Sequence, residues 1–78
     1  MLTFECDPQG ALEITVDADG LAELVSILDR LKPGDHDHLS TSFWGGYPLT
    51  EEFPNGLPIP VHQVTVRHVD AAGRAYDG

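Results

Sequence analysis

The chain lacks most of the features that point directly to a function. Its 78 residues include one cysteine and four lysines and arginines in total. A single cysteine cannot form an internal disulfide, which favours a reduced compartment. The first residues contain no basic stretch and no long apolar run, so they predict neither a signal peptide nor a membrane span. We therefore expect one soluble, cytoplasmic domain over residues 1–78.

Positive charge is scarce. Thirteen aspartates and glutamates give a formal net charge of −9 with the histidines neutral. This charge would repel a nucleic-acid backbone and suits a basic partner, although it also simply keeps a small protein in solution. We expect no nucleic-acid binding.

Catalytic motifs are missing as well. No Gly-x-Ser-x-Gly elbow and no glycine-rich phosphate loop occurs, and Cys6 lies in a strand pattern typical of a small buried residue. The adjacent Glu51 and Glu52 could serve as paired carboxylates, but such a pair in a proline-rich loop is more typical of solvated surface. The sequence predicts a protein that is not an enzyme and has no cofactor.

The periodicity of apolar residues predicts an α+β fold. Residues 2–6 and 12–16 alternate apolar and polar side chains around an Asp-Pro-Gln-Gly turn, which indicates a β-hairpin. Helical spacing follows from Gly20, with a cap at Asp17 or Asp19 and an end at Pro33. The apolar positions of this helix are Leu21, Leu24, Val25, Ile27, Leu28 and Leu31.

Further strands are predicted over 36–41 and 61–69, and the second of these has the stronger apolar alternation. We expect a small antiparallel sheet with the helix packed on one face and 61–69 as its central strand. Residues 71–78 form either a flexible tail or a short return strand in this prediction.

A connection rich in proline and aromatic residues separates those two strands. It begins with Phe43, Trp44 and Tyr47 around the pair Gly45 and Gly46. Aromatic side chains in a loop either fold back onto the core or meet a partner. Both fates remain open for Trp44. We expect the edge of the loop centred on Trp44-Gly45-Gly46-Tyr47 to close the core while the other edge is offered to a partner.

Four histidines raise the alternative of a metal site. On the predicted strands His36 and His38 face solvent, whereas His62 and His68 face the helix, so the two pairs do not converge. We expect no metal site, and keep a metal-binding protein that uses these histidines as an alternative.

Several segments together resemble a known family. They are the start Leu-Thr-Phe-Glu-Cys-Asp-Pro-Gln-Gly, the helix Gly-Leu-Ala-Glu-Leu-Val-Ser-Ile-Leu-Asp-Arg-Leu, the run from His38 to Glu51 with its Trp-Gly-Gly, and the closing Val-His-Gln-Val-Thr-Val-Arg. Over nearly its whole length the chain resembles the immunity protein 32 family. The run from His38 to Glu51 is the most specific element of this resemblance.

The resemblance implies a bacterial, cytoplasmic protein of a polymorphic toxin system that binds a cognate toxin domain and neutralises it by occlusion. The toxin could be a basic, nuclease-like domain. The candidate contact residues are Phe43, Trp44, Gly45, Gly46, Tyr47, Glu51, Glu52 and Asp37. A third hypothesis is a homodimeric structural module in which the loop over 43–47 packs against its own copy.

Overall fold

The structure, a computed structural model, describes residues 1–69, and the prediction for 71–78 lies outside this range. It confirms the small α+β fold, with a hairpin, one helix and further strands. The elements are β1 (Leu2–Cys6), β2 (Leu12–Val16), α1 (Ala18–Arg30), β3 (His36–Thr41), a 3-10 turn (Ser42–Trp44), β4 (Pro48–Leu49), β5 (Ile59–Val61) and β6 (Gln63–Arg67).

The strands divide into two sheets where one was expected. The first has the order β2-β1-β5 and is antiparallel, and the second has the order β4-β3-β6. In the second sheet β3 is central, pairing antiparallel with β6 and parallel with β4. The expectation that 61–69 forms the central strand is therefore wrong.

The proline-rich connection explains this division. It contributes the short strands β4 and β5, one to the edge of each sheet. Pro48 and Pro60 lie in these strands, and proline has no N–H to donate, so both segments are restricted to edge positions. Sequence periodicity could not detect strands of two and three residues.

Local polar chemistry sets the two ends of the hairpin and the start of α1. The Asp7 carboxylate accepts hydrogen bonds from the N–H groups of Gln9 and Ala11, at 3.0 and 2.9 Å, which closes the β1–β2 turn. The Asp17 carboxylate caps α1 by accepting from the N–H of Gly20 at 2.8 Å. The predicted cap at Asp17 is confirmed.

The core lies between α1 and the two sheets. Its five buried apolar residues are Leu2, Phe4, Ile27, Leu39 and Leu49. Only one side of α1 takes part, because Ile27 is buried while Leu21, Val25 and Leu28 are about half exposed. The predicted apolar stripe is therefore wider than the face that the core covers.

No helix within residues 1–69 is long and apolar enough to cross a membrane.

Candidate protein-binding surface

The aromatic loop, residues 42–47, is a short turn with a fixed backbone. The N–H of Gly45 donates to the Ser42 carbonyl at 2.8 Å, the N–H of Gly46 donates to the Thr41 carbonyl at 3.0 Å, and the Tyr47 carbonyl accepts from the strand behind it. These hydrogen bonds hold the loop tightly between β3 and β4.

Each glycine of the loop has a structural role. Gly45 has a φ of 72°, a left-handed conformation that side chains disfavour. Gly46 lies against β3, where an added Cβ would come within 2.3 Å of the Ser40 Cβ. The Gly-Gly pair therefore shapes the turn, and its predicted contact with a partner stays a prediction.

The three aromatic side chains of the loop point outwards. Phe43 is 74% exposed, Trp44 60% and Tyr47 70%. The expectation that the edge around Trp44 and Tyr47 closes the core is therefore wrong. Leu39 and Leu49, from the strands on either side, fill that part of the core instead.

Phe43 belongs to a ring cluster that the sequence did not predict. Its ring centroid lies 4.8 Å from that of His62, and the ring of Phe53 lies 5.6 Å from His62 on an edge-to-face approach. His62 is itself held by a 2.8 Å hydrogen bond between its Nδ1 and the Thr41 hydroxyl. The cluster joins β3, the connection and the residue before β6.

Tyr47 is oriented by the helix. Its hydroxyl donates a 2.5 Å hydrogen bond to the Glu23 carboxylate. This bond, with a smaller contribution from burial, raises the pKa of Tyr47 above its ordinary value, because ionising the phenol would remove the bond and place two negative charges side by side. The tyrosine therefore presents a neutral, fixed ring.

An open cavity of about 190 Å³ lies beside Tyr47. Its lining combines apolar surface with two carboxylates, those of Asp19 and Glu23. Such a combination is suited to a long basic side chain, whose stem packs on apolar surface while its charged end meets a carboxylate.

The predicted acidic residues are not all in one place. The Glu51 carboxylate accepts a 2.6 Å hydrogen bond from the Ser42 hydroxyl, so it adjoins the aromatic loop, and the neighbouring Glu52 is exposed. Asp37 is also exposed but lies near the start of β3, four residues before the strand ends at Thr41. At about 3.3 Å per residue, Asp37 is roughly 13 Å along the strand from Thr41, the residue that precedes the aromatic loop.

The connection that carries Phe53 is anchored from beneath by a buried carboxylate. Glu5 is fully buried, and its two oxygens accept hydrogen bonds from the N–H groups of Asn55 and Leu57, each at 3.1 Å. The alternation of β1 predicted that Glu5 faces away from the apolar core. It could not predict that a loop covers this second face.

The four histidines have separate environments. The rings of His36 and His38 approach each other edge to face at 5.0 Å. His62 packs in the ring cluster, and Nδ1 of His68 lies 3.1 Å from the Leu31 carbonyl. Among the described residues, no group of three or more histidines, cysteines, aspartates or glutamates could hold a metal ion.

Sequence reasoning missed three residues of this surface, namely His62, Phe53 and Glu23. Glu23 and His62 are distant from the aromatic loop in the chain, whereas Phe53 is six residues beyond Tyr47. Phe53 was the easiest of the three to predict from the sequence, because it is a further aromatic residue in the same connection. The pairing of Tyr47 with Glu23 has no signal in a single sequence.

Comparisons with protein-family models, with curated proteins and with solved structures found no match to this chain.

Proposed function

We propose that the protein is a cytoplasmic immunity protein that binds a cognate bacterial toxin domain through the aromatic loop and neutralises it by occlusion. The observation that carries this proposal is the outward display of Phe43, Trp44 and Tyr47 on a hydrogen-bonded turn. Large exposed aromatic side chains are enriched at protein interfaces, and a fixed turn loses little conformational entropy when it binds.

The charge around the loop supports a basic partner. Glu51 and Glu52 follow the loop, and Glu23 and Asp19 line the cavity beside Tyr47. An acidic surface steers a basic protein during encounter and excludes acidic competitors. Occlusion of this kind requires no catalytic residue, so the protein acts by binding alone.

Trp44 is the central anchor in this proposal. A tryptophan that is 60% exposed can bury on the order of 150 Å² more on binding, which corresponds to at most about 4 kcal/mol. Truncation of a hot-spot residue costs about 2 kcal/mol or more, a loss of affinity of about thirtyfold. Because Trp44 is outside the core, its replacement by alanine should leave the fold intact.

The experiment is neutralisation in a bacterial host. The toxin domain encoded immediately upstream of this gene is expressed with this protein, and growth is measured. We expect the wild-type protein and the conservative variant Trp44→Phe to restore growth, and Trp44→Ala to restore it poorly at equal expression. Failure of the wild-type protein to neutralise that domain, or the absence of a toxin gene at that position, would reject the immunity function.

A further inference from the structure

Helix α1 has a second apolar side that the core does not cover. Leu21, Val25 and Leu28 recur at helical spacing and are 45 to 56% exposed. Ala18 and Ala22 are exposed on the same side of the helix. Small and apolar residues in this pattern form a surface on which another helix can pack closely.

Strand β2 is exposed in the same way. Leu12 and Ile14 are about half exposed, and Ile14 lies opposite the buried Phe4 in the register of the hairpin. Residues directly opposite each other share a face of the sheet, and Phe4 belongs to the same core cluster as Ile27 of α1. The exposed residues of β2 are therefore on the face that carries the helix.

Among residues 1–69, no strand pairs with the outer edge of β2, which leaves this edge open to pairing. Asp17 N–H donates to the Met1 carbonyl and Asp7 N–H donates to the Ala11 carbonyl. Hydrogen-bonded pairs alternate along an antiparallel ladder, so the N–H and C=O groups of Leu12, Ile14 and Val16 point away from β1. Strand β2 contains no proline, lysine or arginine that would block this edge.

The opposite edge of the same sheet differs. It is formed by β5, which is three residues long and has Pro60 at its centre. Proline on an edge strand prevents further pairing. In this sheet, therefore, β2 is the edge suited to receive another strand.

The exposed side of α1 lies away from the aromatic loop. Glu23 binds Tyr47, and Val25 is two positions further along the helix, a rotation of about 200°. The side with Val25 therefore faces away from Tyr47, towards the open edge of β2. We call this surface the β2–α1 face, formed by Leu12, Ile14, Leu21, Val25 and Leu28.

We propose that the β2–α1 face binds a second copy of this chain, with β2 paired to its copy antiparallel about a two-fold axis at Ile14. In this register Ile14 lies opposite Ile14 of the copy, and Leu12 lies opposite Val16 of the copy. The backbone N–H and C=O groups that point away from β1 on each edge can therefore form hydrogen bonds with those of the other edge. Glu13 then lies opposite Thr15 of the copy, which avoids a like-charge pair.

The spacing of the helices supports this arrangement. Helix α1 packs across β1 and β2. Neighbouring strands are about 4.8 Å apart, so a helix above the middle of β1 and β2 lies about 4.8 Å from the two-fold axis. The two helices would then be about 10 Å apart, within the usual distance for packed helices. One pairing thus covers both the open edge and the exposed helix side.

The electrostatics of the dimer are set mainly by net charge. Asp19 and Glu23 line the cavity beside Tyr47, so this charged side of α1 faces away from the copy. The net charges of −9 on both copies repel at long range. Added salt should therefore tighten the dimer, whereas it should weaken a complex with a basic toxin.

The test is sedimentation equilibrium of the full chain over a dilution series from micromolar to millimolar concentration. We expect a dimer whose dissociation constant rises at least a hundredfold in Val25→Glu, because each interface would bury two unpaired carboxylates. Ser26→Glu is the matched control, since it adds the same charge at the neighbouring exposed position on another side of the helix. Far-UV circular dichroism checks that both variants are folded.

Two outcomes would overturn the proposal. One is a wild-type protein that is monomeric across the whole series. The other is a dimer that Trp44→Ala dissociates and Val25→Glu does not, which would place the interface on the aromatic loop instead. Because the β2–α1 face is separate from that loop, a monomeric wild-type protein leaves the toxin-binding proposal standing, and failure of toxin binding leaves the dimer standing. A dimer through the aromatic loop would instead count against both proposals, because that loop would be covered by the copy.

Discussion

The buried carboxylate of Glu5 offers a sharp test of how the connection is held. Replacing Glu5 by alanine removes both acceptors of the Asn55 and Leu57 N–H groups. A hydrogen bond to a charged group contributes about 1.5–3 kcal/mol, so the pair contributes about 3–6 kcal/mol. Both bonds are only partly buried, and water can reach the freed donors. We therefore expect a loss near the lower end, about 3 kcal/mol.

That loss is large for a domain of this size. A chain of 78 residues has a free energy of unfolding of about 4–12 kcal/mol. Urea denaturation followed by far-UV circular dichroism measures the change, and we expect Glu5→Gln to fall between wild type and alanine because it keeps one acceptor oxygen. Trp44 fluorescence is a poorer probe, since this side chain is already exposed in the folded state.

Glu13→Ala is the matched control. Glu13 lies directly opposite Glu5 in the hairpin register but is exposed. Its removal relieves a like-charge pair, so stability should stay the same or rise by about 0.5 kcal/mol. Equal changes in the free energy of unfolding in Glu5→Ala and Glu13→Ala would refute the reasoning, because they would show that the two hydrogen bonds to Glu5 contribute nothing beyond what an exposed glutamate contributes.

Two further predictions concern the aromatic loop. The chain has two tyrosines, Tyr47 and Tyr76, so Tyr76→Phe leaves Tyr47 as the only one to titrate. In this variant, ultraviolet titration should show Tyr47 ionising above its ordinary pKa of 10.0, and adding Glu23→Gln should bring that pKa back down. Because the pKa of Tyr47 is raised in the folded state, the stabilisation of the fold by its hydrogen bond to Glu23 is complete below pH 10. It is lost as the pH rises through the folded pKa. An unchanged Tyr47 titration in Glu23→Gln would contradict this. In stopped-flow binding to the toxin domain, Glu51→Gln should slow association severalfold and Asp37→Asn should not, because only Glu51 adjoins the loop; equal effects would contradict that assignment.

The local elements of the fold were predictable from the sequence. The alternation in β1 and β2 and the helical spacing after Asp17 placed the hairpin and the helix, because local periodicity records which side chains face the core. The arrangement of strands was not predictable. Strands β4 and β5 are defined by backbone pairing with distant segments, which leaves no periodic pattern in so few residues.

The candidate surface was predictable only in part. The sequence placed Phe43, Trp44 and Tyr47 in a loop, but it could not decide between burial and exposure. That outcome depends on whether other residues fill the core, and here Leu39 and Leu49 do so. A single sequence also contains no record of which distant residues, such as those of the ring cluster, meet the loop.

The most direct test of the account is calorimetric titration of this protein with the purified toxin domain encoded immediately upstream. We predict stoichiometric binding that weakens about thirtyfold or more in Trp44→Ala and is largely retained in Trp44→Phe, with both variants folded. The same dissociation constant for wild type and Trp44→Ala, or no binding by the wild-type protein, would contradict the claim that the aromatic loop binds a toxin.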